Sequence, residues 1–235
     1  MQNKERAAII DTETTGIKEP VPCEVAYWVI EDLKMIPVEQ YCQRFNPSKP
    51  ISLGATAVNN IRNKDVQNEP PFSTFKMPDV DYIIAHNSDY DWNALGKPDV
   101  KRIDTLAICR AMWPELDSHS QAAMAYHLYE DDAYQLLKKA HSAEADIKTL
   151  RLIIMGILAE MERRNYNVTT IYQLWRLSEK ARIPKVMPFG KHQGTKIEEL
   201  DDSYVDWLVN KADNKDEYLM KALKPHFPQF FKGKE

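Results

Sequence analysis

The chain has 235 residues, with 31 Lys and Arg against 35 Asp and Glu, for a net charge of −4. With 43% hydrophobic and 28% charged residues, it has enough apolar material for a full core, which excludes wholesale disorder. The acidic balance argues against a passive nucleic-acid binder, which carries a basic surplus, but not against an enzyme whose carboxylates hold divalent metals.

The N-terminus lacks the layout of a signal peptide. No apolar run approaches the roughly 18–20 residues of a membrane span, and Leu150–Leu158 is interrupted by Arg151. Cys23, Cys42 and Cys109 are odd in number and widely spaced, which suits free thiols in a reducing cytoplasm better than a disulfide framework or a structural zinc site.

In chain order, residues 6–11 read as a buried strand. Two more follow at 23–32 and 35–45, joined by a turn around Asp32–Lys34, and Pro37 suits an edge position. Residues 46–78, rich in Pro, Asn and Ser, read as a long loop with a helical turn or two. A strand at 80–85 ends at His86-Asn87, and a short helix follows near Tyr90–Leu95. A brief strand near 101–103 leads into a helix over 105–113, with helical patches near 119–128 and 132–139. The clearest helix runs from about Glu144 to Arg163. Its Ile147, Leu150, Ile154, Ile157, Leu158 and Met161 recur with the period of one buried face. After a helix over about 170–180, the stretch 180–196 holds Lys180, Arg182, Lys185, Lys191 and Lys196 and no acid. It reads either as a solvated linker or as a guide for a nucleic-acid strand. A small C-terminal unit follows, with Trp207, Leu208 and Phe227 available for its core.

Three short motifs carry the chemistry. In Asp11-Thr12-Glu13-Thr14-Thr15-Gly16, strand alternation points Asp11 and Glu13 to one face. Two such carboxylates repel unless a cation lies between them, and an oxygen-only donor set suits magnesium or manganese. His86-Asn87-Ser88-Asp89-Tyr90-Asp91 lies at a strand end. His141-Ser142-Ala143-Glu144-Ala145-Asp146 opens the strongest helix. With Ser142 as N-cap, Glu144 sits in the first turn and His141 lies outside the helix. Asp89 reads as a solvated neighbour, Asp104 as an N-cap, His127 as a core or boundary residue and His119 as a surface or capping residue.

The order DxETTG, HNxxYD, HxAxxD resembles the DnaQ-like 3′–5′ exonuclease superfamily in its DEDDh branch. The resemblance implies an RNase H-like α/β fold, a mixed sheet flanked by helices, over residues 1–182, with a small unit at 183–235. It implies Asp11, Glu13, Asp91 and Asp146 as ligands of two Mg²⁺ (Mn²⁺ substituting) and His141 as general base. The implied reaction releases nucleoside 5′-monophosphates from the 3′ end of DNA. Thr14, Thr15, Ile17, Lys18, His86 and Asn87 are the expected substrate contacts, with Ile17 open between base packing and ordinary loop packing, and His86 open between touching substrate and orienting its loop. Pro188-Phe189-Gly190-Lys191-His192-Gln193-Gly194, with Tyr204 and Trp207-Leu208 beyond, resembles the tail of one member of the superfamily. Where many relatives have a loop histidine, this chain has Asn59. An exoribonuclease and a polymerase-associated proofreading module are the competing readings, and the intact set of acids counts against a module that has lost catalysis. Single-stranded or 3′-ended DNA, with RNA as the alternative, is the expected partner, in a setting such as DNA repair and without a membrane.

Overall fold

The computed structural model describes residues 5–137, 142–213 and 215–231. They divide into two compact units, Met1–Ser178 and Glu179–Glu235.

The first unit is built on a five-stranded sheet ordered β3-β2-β1-β4-β5. β1 (Ala7–Thr14), β2 (Pro22–Ile30) and β3 (Glu39–Arg44) form an antiparallel meander. β4 (Tyr82–Ala85) runs parallel to β1, and β5 (Lys101–Asp104) parallel to β4. β1 and β2 are apolar because both faces are covered. On one face Ala8, Ile10, Val25, Tyr27 and Val29 pack with Phe45, Ile83 and Ala85. Below the other lies the long helix α6 (Ala143–Arg163), in which Ile147, Leu150, Ile154, Ile157 and Met161 of the expected stripe are buried and Leu158 is half-buried at its edge.

The remaining helices of this unit are α1 (Leu53–Asn59), α2 (Asn63–Val66), α3 (Ser88–Ala94), α4 (Thr105–Met112), α5 (Gln121–Leu137), α6 (Ala143–Arg163) and α7 (Ile171–Ala181), the last running past its boundary. α1 and α2 are the helical turns expected in the 46–78 loop. α5 is broken at Tyr129 and Glu130, whose backbone is not helical, so the two expected patches survive as its two halves. Gly156 lets α6 approach α5: a Cβ there would lie 2.7 Å from Leu128 Cδ1.

The third strand starts at Glu39 instead of residue 35. Met35 adopts a left-handed backbone (φ 59°) with its side chain buried, which ends the extended chain there. In the second unit, α8 (Asp202–Asn210) and α9 (Glu217–Leu223) enclose a core of Met187, Ile197, Leu200, Val205, Leu208 and Leu219 with Phe227. Trp207 is not part of that core. It is 48% exposed, because α8 turns Val205, Leu208 and Val209 inward instead. No helix among the described residues is long and apolar enough to cross a membrane.

Candidate active site

β1 outruns its parallel neighbour. Its pairing with β4 is described through Ile9, while its pairing with β2 continues to Thr14. The open end lies at the carboxyl ends of parallel strands, where open α/β sheets place their ligands.

Asp11 and Glu13 project from this end on one face. Asp146 meets them from the first turn of α6: one carboxylate oxygen from each of the three lies within 4.8 Å of the others. Ser142 caps α6 as expected, its hydroxyl accepting from Ala145 N, and this fixes where Asp146 emerges. Asp91 comes from α3 and is buried. Its Oδ1 accepts from Thr12 N (3.0 Å) and Thr12 Oγ1 (2.8 Å), so its carboxylate ties α3 to the exposed length of β1. His141 lies outside the described residues.

The electrostatics are those of a crowded anion site. Burial, followed by the charges of Asp91, Asp146 and Glu13, holds the Asp11 carboxyl well above the usual carboxylate range. Burial and then Asp146 push Glu13 up to about 7, against a hydrogen bond from Asn59 that favours its charged form. Burial pushes Asp91 up to about 7 despite its two bonds from Thr12. Hard, oxygen-only donors whose charged forms are disfavoured together fit a divalent cation, which makes those charges favourable again.

Glu24 joins this site although the sequence offers no obvious reason to select it. It stands opposite Glu13 on β2 and opposite Arg44 on β3. Its Oε1 accepts from Arg44 Nε (2.9 Å), and its Oε2 accepts from the backbone N–H of Ala143 (3.0 Å) at the start of α6. Like charges facing each other across two strands are unfavourable. Here the second one is anchored by a guanidinium and by a helix N-terminus, so it fixes the helix that carries Asp146.

Beside the carboxylates opens a cavity of about 750 Å³, walled by Thr14, Thr15, Gly16, Ile17 and Lys18 and, across it, by Ser52, Val58 and Tyr90. Ile17 is 88% and Val58 62% exposed, which gives the cavity an apolar rim. Gly16 has φ +144°, and a Cβ there would lie 3.0 Å from Ser52 Oγ, so the turn closes only with glycine. Asn59 is buried and donates to the Thr14 carbonyl (3.3 Å).

His86 and Asn87 are not among the residues lining the cavity. Instead of an open contact, His86 has two internal partners: its Nδ1 lies 2.9 Å from Thr105 Oγ1 and its Nε2 2.7 Å from the His119 carbonyl oxygen. Burial lowers its pKa. Asn87 enters α3 with a left-handed backbone, and its N–H donates to Asp104 Oδ1. Asp104 is the expected N-cap, accepting from Leu106 N and Ala107 N. Asp89 is not simply solvated: it pairs with Arg102, whose guanidinium lies over the Trp92 ring.

No family model matches the chain. It is 25% identical over 226 residues to Exodeoxyribonuclease 10 of Escherichia coli (strain K12), covering 92% of this chain and 96% of that protein. It is 29% identical over 195 residues to the 3′-5′ exonuclease DinG of Bacillus subtilis (strain 168), covering 75% of this chain but only 20% of that protein's length. Among solved structures, Exonuclease X in complex with 5′ overhanging duplex DNA has a TM-score of 0.56 at 22% identity, over 73% of this chain and 99% of that one. E. coli Exonuclease I in complex with a dA16 oligonucleotide has a TM-score of 0.55 at 16% identity, over 77% of this chain and 44% of that one. The fold is thus RNase H-like, and the chain resembles the DnaQ-like 3′–5′ exonucleases. Within that class, the member whose tail the C-terminal motif resembles is exodeoxyribonuclease X.

Proposed function

We propose that the chain is a metal-dependent 3′–5′ exonuclease that hydrolyses DNA from its 3′ end to nucleoside 5′-monophosphates. One observation carries the reading: carboxylates from residues 11, 13 and 146 converge within 4.8 Å, with Asp91 beside them and Glu13 lining the adjoining cavity. Asp11, Glu13, Asp91 and Asp146 would hold two divalent cations, magnesium with manganese as substitute. When bound, these supply Lewis-acid stabilisation of the scissile phosphate and lower the pKa of water.

The chain's own groups do the rest. The backbone at Thr14 and Thr15 walls the pocket for the terminal nucleotide. Ile17 packs on the terminal base, and Lys18 meets a phosphate. His141, directly before the Ser142 N-cap in the sequence, takes the proton from the attacking water, which a neutral imidazole suits. Residues 1–182 carry this chemistry. The free thiols of Cys23, Cys42 and Cys109 suit a reducing cytoplasm.

The test is hydrolysis of 3′-labelled and 5′-labelled DNA and RNA, single- and double-stranded, in magnesium or in EDTA. Mononucleotide release from 3′-labelled DNA in magnesium alone is the expected result. Loss of 5′ label first, or activity in EDTA, refutes the reading, and a preference for RNA moves the substrate to the exoribonucleases.

A further inference from the structure

We propose that the C-terminal unit carries a binding surface for single-stranded DNA, built on the exposed rings of Phe189 and Trp207, the half-buried Tyr204 on which Trp207 stacks, and the ammonium groups of Lys185 and Lys191. The choice of DNA rests on the nuclease reading above; the surface itself rests on geometry.

An antiparallel bridge between Val186 and Lys196, with bonds from Met187 N to the Thr195 carbonyl and from Gly194 N to the Met187 carbonyl, closes a loop with Phe189–Gln193 at its tip. Gly190 (φ +75°) and Gly194 (φ +84°) supply its left-handed corners. The loop folds onto α8. The His192 ring lies 4.2 Å from that of Tyr204, and Lys191 Nζ sits 5.5 Å above the same ring. One helical turn on, Trp207 stacks near-parallel to Tyr204, with centroids 5.9 Å apart and planes at 18°.

Trp207 lies outside the unit's apolar centre, which Val205, Leu208 and Val209 fill from the same helix, while Tyr204 is half-buried against that centre. Trp207 is 48% and Phe189 47% exposed. Scattered exposed aromatics need no explanation, but the stacked Tyr204 and Trp207 with Lys191 over one ring, and an exposed Phe189 on the adjoining loop, match what an unpaired strand offers to bind: base faces and phosphates. A duplex has its base faces already stacked, so the single strand is the matching occupant.

The charge balance agrees. Residues 180–196 contain five cations and no acid. Arg182 is committed to Tyr218 and Lys196 to Glu199; of the other three, Lys180 lies back on α7, while Lys185 and Lys191 are exposed at the start and tip of the loop. Acids on the same helix include Asp201, which caps α8 and lies 4.0 Å from His192 Nε2, Asp202 in its first turn, and Asp206, which accepts from Asn210.

The experiment is binding of a fluorescein-labelled oligomer of about 20 thymidylates by the full chain in EDTA, with Trp207→Ala and Lys191→Gln. Stacking on one ring is worth roughly a 5–100-fold change in affinity, which is the weakening expected of Trp207→Ala. Lys191→Gln should reduce the slope of log affinity against log salt by about 0.7–1. Lys191 is exposed, so that variant decides the matter alone if Trp207→Ala fails to fold. Affinities and salt slopes indistinguishable from the parent, or no binding by the parent, overturn the proposal. Hydrolysis of thymidine 5′-p-nitrophenyl phosphate by the unaltered chain, measured in parallel, tests the active site separately. Hydrolysis with unchanged binding by the variants sinks the surface alone, whereas weakened binding by the variants without hydrolysis sinks the nuclease reading alone.

Discussion

Glu13→Gln should stabilise the metal-free protein at alkaline pH while destroying its function. The Glu13 carboxyl rises from its ordinary 4.5 to about 7 on folding. Between those values the folded chain keeps a proton that the unfolded chain has lost, so this group's stabilisation is complete below about pH 4.5 and disappears as pH rises through 7. At about 1.4 kcal/mol per pH unit the loss approaches roughly 3 kcal/mol, or on the order of 6–12 °C for a unit of this size. Glutamine keeps the shape and never ionises. In EDTA at about pH 8, Glu13→Gln should therefore melt several degrees above the parent, with the gap closing towards about pH 5. Manganese should restore the parent at alkaline pH, because a bound cation offsets the crowded charge, and should do much less for the variant. Asp65 and Glu160, held near 2 by their arginine partners, act in the opposite sense but only below this window. Calorimetric scans at three pH values, with EDTA or manganese, check the reasoning. A Glu13→Gln protein that melts with or below the parent at about pH 8 in EDTA would show that the carboxylates do not strain the fold.

Three further outcomes follow from the site. Asp11→Ala and Asp146→Ala should each reduce DNA hydrolysis by at least ~10³-fold, since on the proposed function several kcal/mol of charge stabilisation depends on the cation they would hold. Unchanged circular dichroism should accompany that loss, and full activity in either variant would remove its carboxylate from the site. His141→Ala should slow hydrolysis by about 10²–10⁴-fold at neutral pH, as removal of a general base does; a single-turnover rate equal to the parent's would exclude the histidine. Glu24→Ala should cost about 1–3 kcal/mol, because it orphans the Ala143 N–H, and should weaken manganese binding measured by titration. Glu24→Gln, whose amide oxygen still accepts that bond, should recover most of the metal affinity. Manganese binding by Glu24→Ala as tight as the parent's would confine Glu24 to a structural part.

The clustered acids Asp11, Glu13 and Asp146 were legible because their signals are local. Strand alternation places Asp11 and Glu13 on one face, and a serine N-cap with an acidic first turn locates the start of α6. Helical periodicity identified the buried stripe of α6 from the same kind of short-range rule. What the sequence leaves open concerns residues whose partners are distant in the chain. His86 reads either as a substrate contact or as a residue that orients its loop, and its bonding to the His119 carbonyl 33 positions away favours the second. Trp207 reads as core, because an aromatic among apolar residues usually is, but its place on α8 follows from which turn of that helix faces the centre. The start of β3 was missed for a backbone reason: the left-handed Met35 carries no signature of its own, and glycine or asparagine would have marked the turn.

Glu24 shows the limit most clearly. An acid in an otherwise apolar strand looks like a solvent-facing position, and periodicity alone gives no reason to expect it buried. Its meaning depends on two registers, with Glu13 on one side and Arg44 on the other, and on a helix that begins 119 positions later. The arrangement also has an electrostatic logic. Were Glu24 apolar, Ala143 would lose its acceptor and the entrance of α6 would be anchored only by its own cap. Were Arg44 missing, Glu24 would add an uncompensated charge to a site already short of solvation. The guanidinium lets the chain use an anion as an anchor within a cluster of anions, holding Asp146 in place without a cation and leaving the remaining negative charge to attract one.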